Sequence, residues 1–181
     1  VSLQERQAEM LREKIRALEL KAAEMIRHGQ ENVTIADKLQ RWTRELLLTR
    51  EAAALPGVIV EQIQAQFQVP QAAIRVWGVA PEWAGQPFAQ GVSADAQAFA
   101  ASLTTPYCGA NPGLEAASWL GDAPAASLAL LPLRASPTDK VFGLLVLGSS
   151  DPQRFHAGMG TDFLERIAEL ASAALGRLTA A

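Results

Sequence analysis

Ser127-Leu-Ala-Leu-Leu-Pro-Leu133 and Val141-Phe-Gly-Leu-Leu-Val-Leu-Gly-Ser149 are two apolar runs separated by the turn-rich stretch 134–140. Each is short, uncharged and apolar at odd and even positions alike. That is the pattern of a strand covered on both faces. The spacer contains Ser136, Pro137 and Asp139, so the pair reads as an antiparallel hairpin at the centre of a sheet. Asp151-Pro152 ends the second strand. Beyond it Phe163, Leu164, Ile167, Leu170, Ala171, Ala174, Leu175 and Leu178 recur at helical spacing, which predicts an amphipathic helix over 160–178 with Thr161 or His156 as its cap.

Upstream of the hairpin, Ile74 and Val76 alternate with Arg75 and Trp77 in a predicted strand over 72–79. The first pair suits a helix-covered face and the second pair the opposite one. Val58, Ile59, Ile63 and Phe67 are spaced for a helix that Val69-Pro70 closes. Residues 80–92 form a Pro/Gly loop with Trp83 and Phe88, 94–103 an alanine-rich short helix, and 104–121 a mostly irregular segment. The expected core is Ile74, Val76, Leu128, Leu130, Leu144 and Val146, with Phe163, Ile167 and Leu170 covering the sheet. Helices before, between and after the strands make the fold class α+β.

The 181 residues are 49% hydrophobic and 19% charged with a net charge of −3, sufficient for a real core. No apolar run is long enough to span a membrane, and the mild acidity argues against direct nucleic-acid binding through bulk charge. A single cysteine, Cys108, excludes an intrachain disulfide framework and fits a reducing cytoplasm. The chain begins at Val1 with neither methionine nor a signal-peptide pattern, so an upstream segment is expected.

Charge is unevenly spread: residues 1–51 hold 10 of the 16 basic and 9 of the 19 acidic side chains, with no proline and one glycine. Ala8, Leu11, Ile15, Leu18, Ala22 and Met25 stand three and four apart among charged neighbours, a heptad seam. A helix of about 27 residues spans roughly 40 Å, more than a domain of this size readily covers. The seam therefore predicts a parallel homodimeric coiled coil through Leu11, Ile15, Leu18, Ala22 and Met25. It weakens at Gly29 and Asn32, which predicts a break or register change near 28–32 and a second helix over 34–50. The expected division is a dimerisation helix, 1–30, and a domain, 31–181.

Four segments carry a resemblance. Val1-Ser-Leu-Gln-Glu-Arg-Gln7, Gln30-Glu-Asn32, Pro106-Tyr-Cys-Gly109, and Gly148-Ser-Ser-Asp-Pro-Gln-Arg-Phe155 leading to Gly158-Met-Gly-Thr-Asp-Phe-Leu164 stand in order over nearly the whole chain. Together they resemble the bacterial family called domain of unknown function 484, and the hairpin, turn and last helix resemble the second half of a GAF domain. The resemblance implies a twisted antiparallel sheet of about six strands, helices on one face and a ligand-sized pocket on the other. It implies no reaction. Members usually carry a further segment upstream, and their genes often stand beside that of a site-specific tyrosine recombinase, which suggests such a recombinase as protein partner. The Asn-Lys-x-x-Phe-x-x-x-Asp-Glu run of cyclic-nucleotide-binding GAF domains is absent. Cys108 is followed by Gly109, not the histidine of bilin attachment, and one cysteine cannot form the disulfide of GAF-fold methionine sulfoxide reductases.

The catalytic inventory is thin. His28 and His156 suit helix ends, Glu165 and Glu169 suit a solvated helix face, and no spacing offers a metal site or phosphate cradle. Cys108 is the one nucleophile, and nothing adjacent would activate it. Aromatic residues are more telling: Trp77, Trp83, Phe88, Tyr107 and Trp119 fall in the strand and loops assigned to the pocket face. Arg75 shares the face of Trp77 and could hold an acidic group. The expected ligand lining is Arg75, Trp77, Tyr107, Cys108, Asn111 and Trp119. The expected function is a non-enzymatic, dimeric sensor or adaptor that binds a small metabolite or a protein partner, without cofactor or metal. The rival is a small redox enzyme using Cys108.

Overall fold

The computed structural model describes residues 1–180. In chain order the elements are α1 (Leu3–Leu48), α2 (Leu55–Phe67), β1 (Gln71–Val76), α3 (Ala94–Ser102), β2 (Tyr107–Ala110), β3 (Ser127–Leu133), β4 (Gly143–Ser149) and α4 (Asp162–Leu175). Single 3-10 turns occupy much of the remaining chain, the longest at Glu115–Leu120. The chain divides into two compact units, Val1–Gln40 and Arg41–Ala181.

In the first unit the helix is uninterrupted. Of the break or register change expected at 28–32, the break is absent, because an interior glycine costs only about 1 kcal/mol and an asparagine less, carried by a helix of 46 residues. The start is fixed locally by a capping box: Ser2 Oγ accepts from Glu5 N at 3.1 Å, and Glu5 Oε2 accepts from Ser2 N at 2.8 Å. Leu11, Ile15, Leu18 and Met25 are exposed, at 60%, 53%, 65% and 66%, so this chain alone does not cover the seam.

The second unit is built on one antiparallel sheet of order β1-β4-β3-β2. The expected hairpin is its centre, with Leu128 opposite Gly148 and Leu130 opposite Val146. Four strands stand where about six were expected. Proline and glycine account for part of the difference: 3-10 turns led by Pro81 and Pro87, and another between Gly113 and Gly121, occupy the connections. Pro132 is tolerated in β3 because β2 reaches only to Leu130.

Alternation and register sort the side chains into two layers. Ile74, Leu145 and Leu131 lie across from one another on one face, while Arg75 and Leu144 share the other with Leu130 and Val146. Helices α2 and α4 cover the first face through contacts with β1 and β3. Ile59, Ile63 and Ile167 are almost wholly buried, and Trp42 is inaccessible, its Nε1 donating to Ile59 O at 3.2 Å. The second face is closed by α3 and the Glu115–Leu120 turn, where Ala100 and Ala116 meet Leu128, Leu130, Leu144 and Val146. Helical cover is therefore not confined to one face, although the second cover is thin. All six expected core residues are buried.

The block 148–155 is architectural. Ser127 Oγ donates to Asp151 O at 2.7 Å and accepts from Phe155 N, while Asp151 Oδ1 accepts from Gln153 N at 2.9 Å. Arg154 Nη2 donates to Phe67 O at 2.8 Å and so satisfies a carbonyl at the end of α2. Neither expected cap serves α4 by its side chain: Thr161 makes no capping bond, and His156 offers its backbone oxygen to Met159 N.

Candidate functional site

β1 carries Arg75 to the thinly covered face, and Trp77, just past its end, packs on the same face. Arg75 is half-buried, and its Nη1 donates to Ile74 O at 2.9 Å. Its guanidinium carbon lies 5.3 Å from the centroid of the Trp119 ring, within cation–π range. No carboxylate among the described residues pairs with it. Two buried donors here face no acceptor, Arg75 Nε and Trp119 Nε1. Burial lowers the Arg75 pKa from its ordinary value, and the group stays a cation. Sequence reasoning named both residues but could not foresee the orphaned donors, which depend on the path of the loop carrying Trp119.

The other expected lining residues have separate surroundings. Trp77 Nε1 donates to Val141 O at 3.0 Å, and its ring borders an open cleft of about 540 Å³ with Gln97, Arg134, Asp139 and Lys140. Tyr107 folds along its strand over Gly109, and its hydroxyl donates to Ala110 O at 2.8 Å. Asn111 joins the two ends of a loop: Nδ2 donates to Ala125 O at 3.2 Å, and Oδ1 accepts from Gly113 N at 2.9 Å. The structure brings Arg75 and Trp119 together, sets Trp77 in the neighbouring cleft, and uses Tyr107 and Asn111 to shape the backbone.

Cys108 lies elsewhere. It pairs with Ala129 while Tyr107 pairs with Leu130, so the two side chains leave the sheet on opposite faces. Cys108 is on the α2/α4 side, 8% exposed, and burial pushes its thiol pKa up. A raised pKa withholds the thiolate that nucleophilic or redox chemistry needs.

The loop over Arg75 is held by packing on the sheet and by single polar contacts. Ser93 N donates to Glu115 Oε2 at 3.1 Å, and hydrogen bonding from Ser93 lowers the Glu115 carboxyl pKa. Leu120 lies over Gly148, where an added Cβ would come within 2.6 Å of Leu120 Cδ1. Two further clefts lie apart from Arg75, and the first shares Arg134 with the cleft beside Trp77. One of about 400 Å³ is bordered by Pro106, Arg134, Glu165, Glu169 and Ser172, and an apolar one of about 320 Å³ by Leu46, Leu47, Leu55 and Leu170. No group of three His, Cys, Asp or Glu among the described residues is placed to hold a metal, and no helix among them is long and apolar enough to cross a membrane.

The family model described as protein of unknown function DUF484 matches residues 1–180. No curated protein matches the chain. Among solved structures, the GAF domain of a phosphoenolpyruvate-protein phosphotransferase from Coxiella burnetii is similar at 13% identity, over 80% of this chain and 94% of that one, with a TM-score of 0.58. The GAF domain of the potassium sensor histidine kinase KdpD from Escherichia coli is similar at 18% identity, 79% and 94% coverage and a TM-score of 0.51. A free methionine-R-sulfoxide reductase from Neisseria meningitidis, in complex with its substrate, is similar at 11% identity, 78% and 88% coverage and a TM-score of 0.53. Identities this low carry the fold and not the activity.

Proposed function

Since the chain belongs to the DUF484 family of proteins of unknown function and has the fold of a GAF domain, we propose that it is a non-enzymatic sensor or adaptor. In this reading it is a dimer through α1, and its ligand face is the side of the sheet carrying Arg75. The observation that supports the reading most is an uncompensated cation, half-buried against an indole, on a face closed only by short segments. A purely structural arginine would ordinarily be paired with a carboxylate or hydrogen-bonded throughout. The similar folds include a domain of a sensor kinase and one of a phosphotransferase, a setting that suits a recognition module. The redox alternative has little support, because Cys108 is buried on the other face with its pKa raised.

Thermal unfolding of the full chain against a panel of metabolites tests the reading. At least one compound should raise the midpoint of the wild type, fail to raise that of Arg75→Met, and still raise that of Cys108→Ser. A panel without effect on the wild type would leave the adaptor form, in which a protein such as the recombinase is the partner. Co-purification with that recombinase, lost on substitution of exposed residues, would be its support.

A further inference from the structure

We propose that Arg75 and Trp119 form a carboxylate-binding site that opens by movement of the 113–121 segment. This rests on the ligand-binding arm of the function proposed above and specifies its chemistry. The hydrogens of the guanidinium are only partly engaged. Nη1 is engaged by Ile74 O at 2.9 Å, whereas Nε is buried without an acceptor. What remains is the Nε/Nη2 edge, the side from which a carboxylate is held by two parallel bonds. Trp119 Nε1 is a third donor, also buried and also without an acceptor. Indole nitrogen only donates, so the pair presents donors alone and one net positive charge. Its complement is a compact anion with more than one acceptor oxygen in a plane. The flat guanidinium edge suits a planar carboxylate, and the indole face offers an apolar wall beside it.

Neither orphaned nitrogen is reachable from solvent in this conformation, so the ligand enters only when the indole moves. The segment carrying Trp119 rests on the sheet through Ala116 and Leu120, so opening means lifting that turn. It is bracketed by Gly113 at φ 88° and Gly121 at φ 98°. An added Cβ at either would meet nothing within 4 Å, so these positions demand glycine for backbone conformation and not for space. Outside the bracket, Asn111 binds Ala125 O and fixes the loop's roots while the span between them moves. The closed form leaves two buried donors unpaired, at a cost of the order of a lost hydrogen bond each. A carboxylate that supplies acceptors to both favours the rearranged form by that difference.

The test is 19F NMR of the full chain labelled with 5-fluorotryptophan, with the Trp119 resonance assigned by its loss in Trp119→Phe. Acetate, pyruvate and benzoate are the probes, and chloride at equal ionic strength is the control. We expect the Trp119 resonance to shift saturably with at least one carboxylate and not with chloride. Arg75→Met should remove the response, and Arg75→Lys should weaken binding about tenfold or more, because an ammonium cannot offer the paired edge. Gly121→Ala should change the affinity while the fold, read by circular dichroism, is retained. A silent Trp119 resonance with all three carboxylates overturns the proposal and leaves water as the acceptor. An equal response in Arg75→Met overturns it too. If carboxylates are silent while a neutral metabolite from the panel both stabilises the chain and shifts Trp119, the ligand-binding reading stands and the carboxylate assignment falls.

Discussion

Cys108 illustrates at the scale of one residue what a sequence hides. Four-residue β2 lies between Pro106 and Pro112 with Gly109 inside it, so its composition is that of a loop. Without a strand there is no alternation to apply, and Tyr107 and Cys108 seem to share a site. The register with Leu130 and Ala129 separates them. Arg75 is the opposite case: it alternates with Ile74 and Val76 in a run long enough to show its period, and its face follows from sequence alone. Burial of Cys108 has a measurable consequence. Its folded pKa is raised, so its contribution to stability is whole below the thiol's ordinary value and is lost as pH rises through the raised one. Thermal midpoints should therefore fall more steeply for the wild type than for Cys108→Ala between about pH 8 and pH 10. A thiol reagent should label native protein far more slowly than denatured protein. Rapid labelling of the native thiol would restore Cys108 as a candidate for redox chemistry.

At the scale of elements, the hairpin was legible as two apolar runs about a turn-rich spacer, and the helices α2 and α4 because each repeats the helical period. The sheet's lateral extent was not, since the extra strands were implied by family resemblance while prolines in the connections favoured turns. No break interrupts α1, for an energetic reason: one glycine within a helix of 46 residues is a weak point and not a stop. Gly29→Ala should then stabilise α1 by about 1 kcal/mol, because the new methyl meets nothing within 4 Å. Circular dichroism of the full chain would register the gain as helicity retained to higher temperature. A loss of helicity would mean that the glycine is needed at a contact absent from the single chain. Leu144 sits in β4 within the thinly covered layer, wholly buried beside Val146 and Leu130. Leu144→Ala should cost roughly 2–5 kcal/mol in denaturant unfolding. A cost below about 1 kcal/mol would show that this layer collapses around the vacancy, contrary to the packing expected of a protein interior.

For the whole molecule, the decisive question is what covers the apolar seam of α1. Leu11, Ile15, Leu18 and Met25 leave more than half of their surfaces in solvent, and with the exposed Ala22 they stand alternately four and three apart. A scatter of exposed apolar residues would need no explanation, but this spacing averages 3.5 residues, which matches a second helix of the same period better than a flat surface. A second copy of α1 supplies that period by construction. In the parallel arrangement each seam residue meets its own counterpart, so no second sequence has to evolve to match the first. We therefore expect a dimer at micromolar concentration by light scattering, converted to monomer by Leu18→Glu, which sets two carboxylates against each other in the seam. Direction is tested separately. In a Cys108→Ala background, Leu11→Cys should cross-link rapidly under mild oxidation if the helices run parallel, because the two thiols then face each other. An antiparallel pair would hold those thiols apart and leave the chain reducible to one species from the start. A wild-type chain that scatters as a monomer, unchanged by Leu18→Glu, would remove the dimer from the proposed function. The Arg75 face and the exposed surface open to a protein partner would then remain as its routes of recognition.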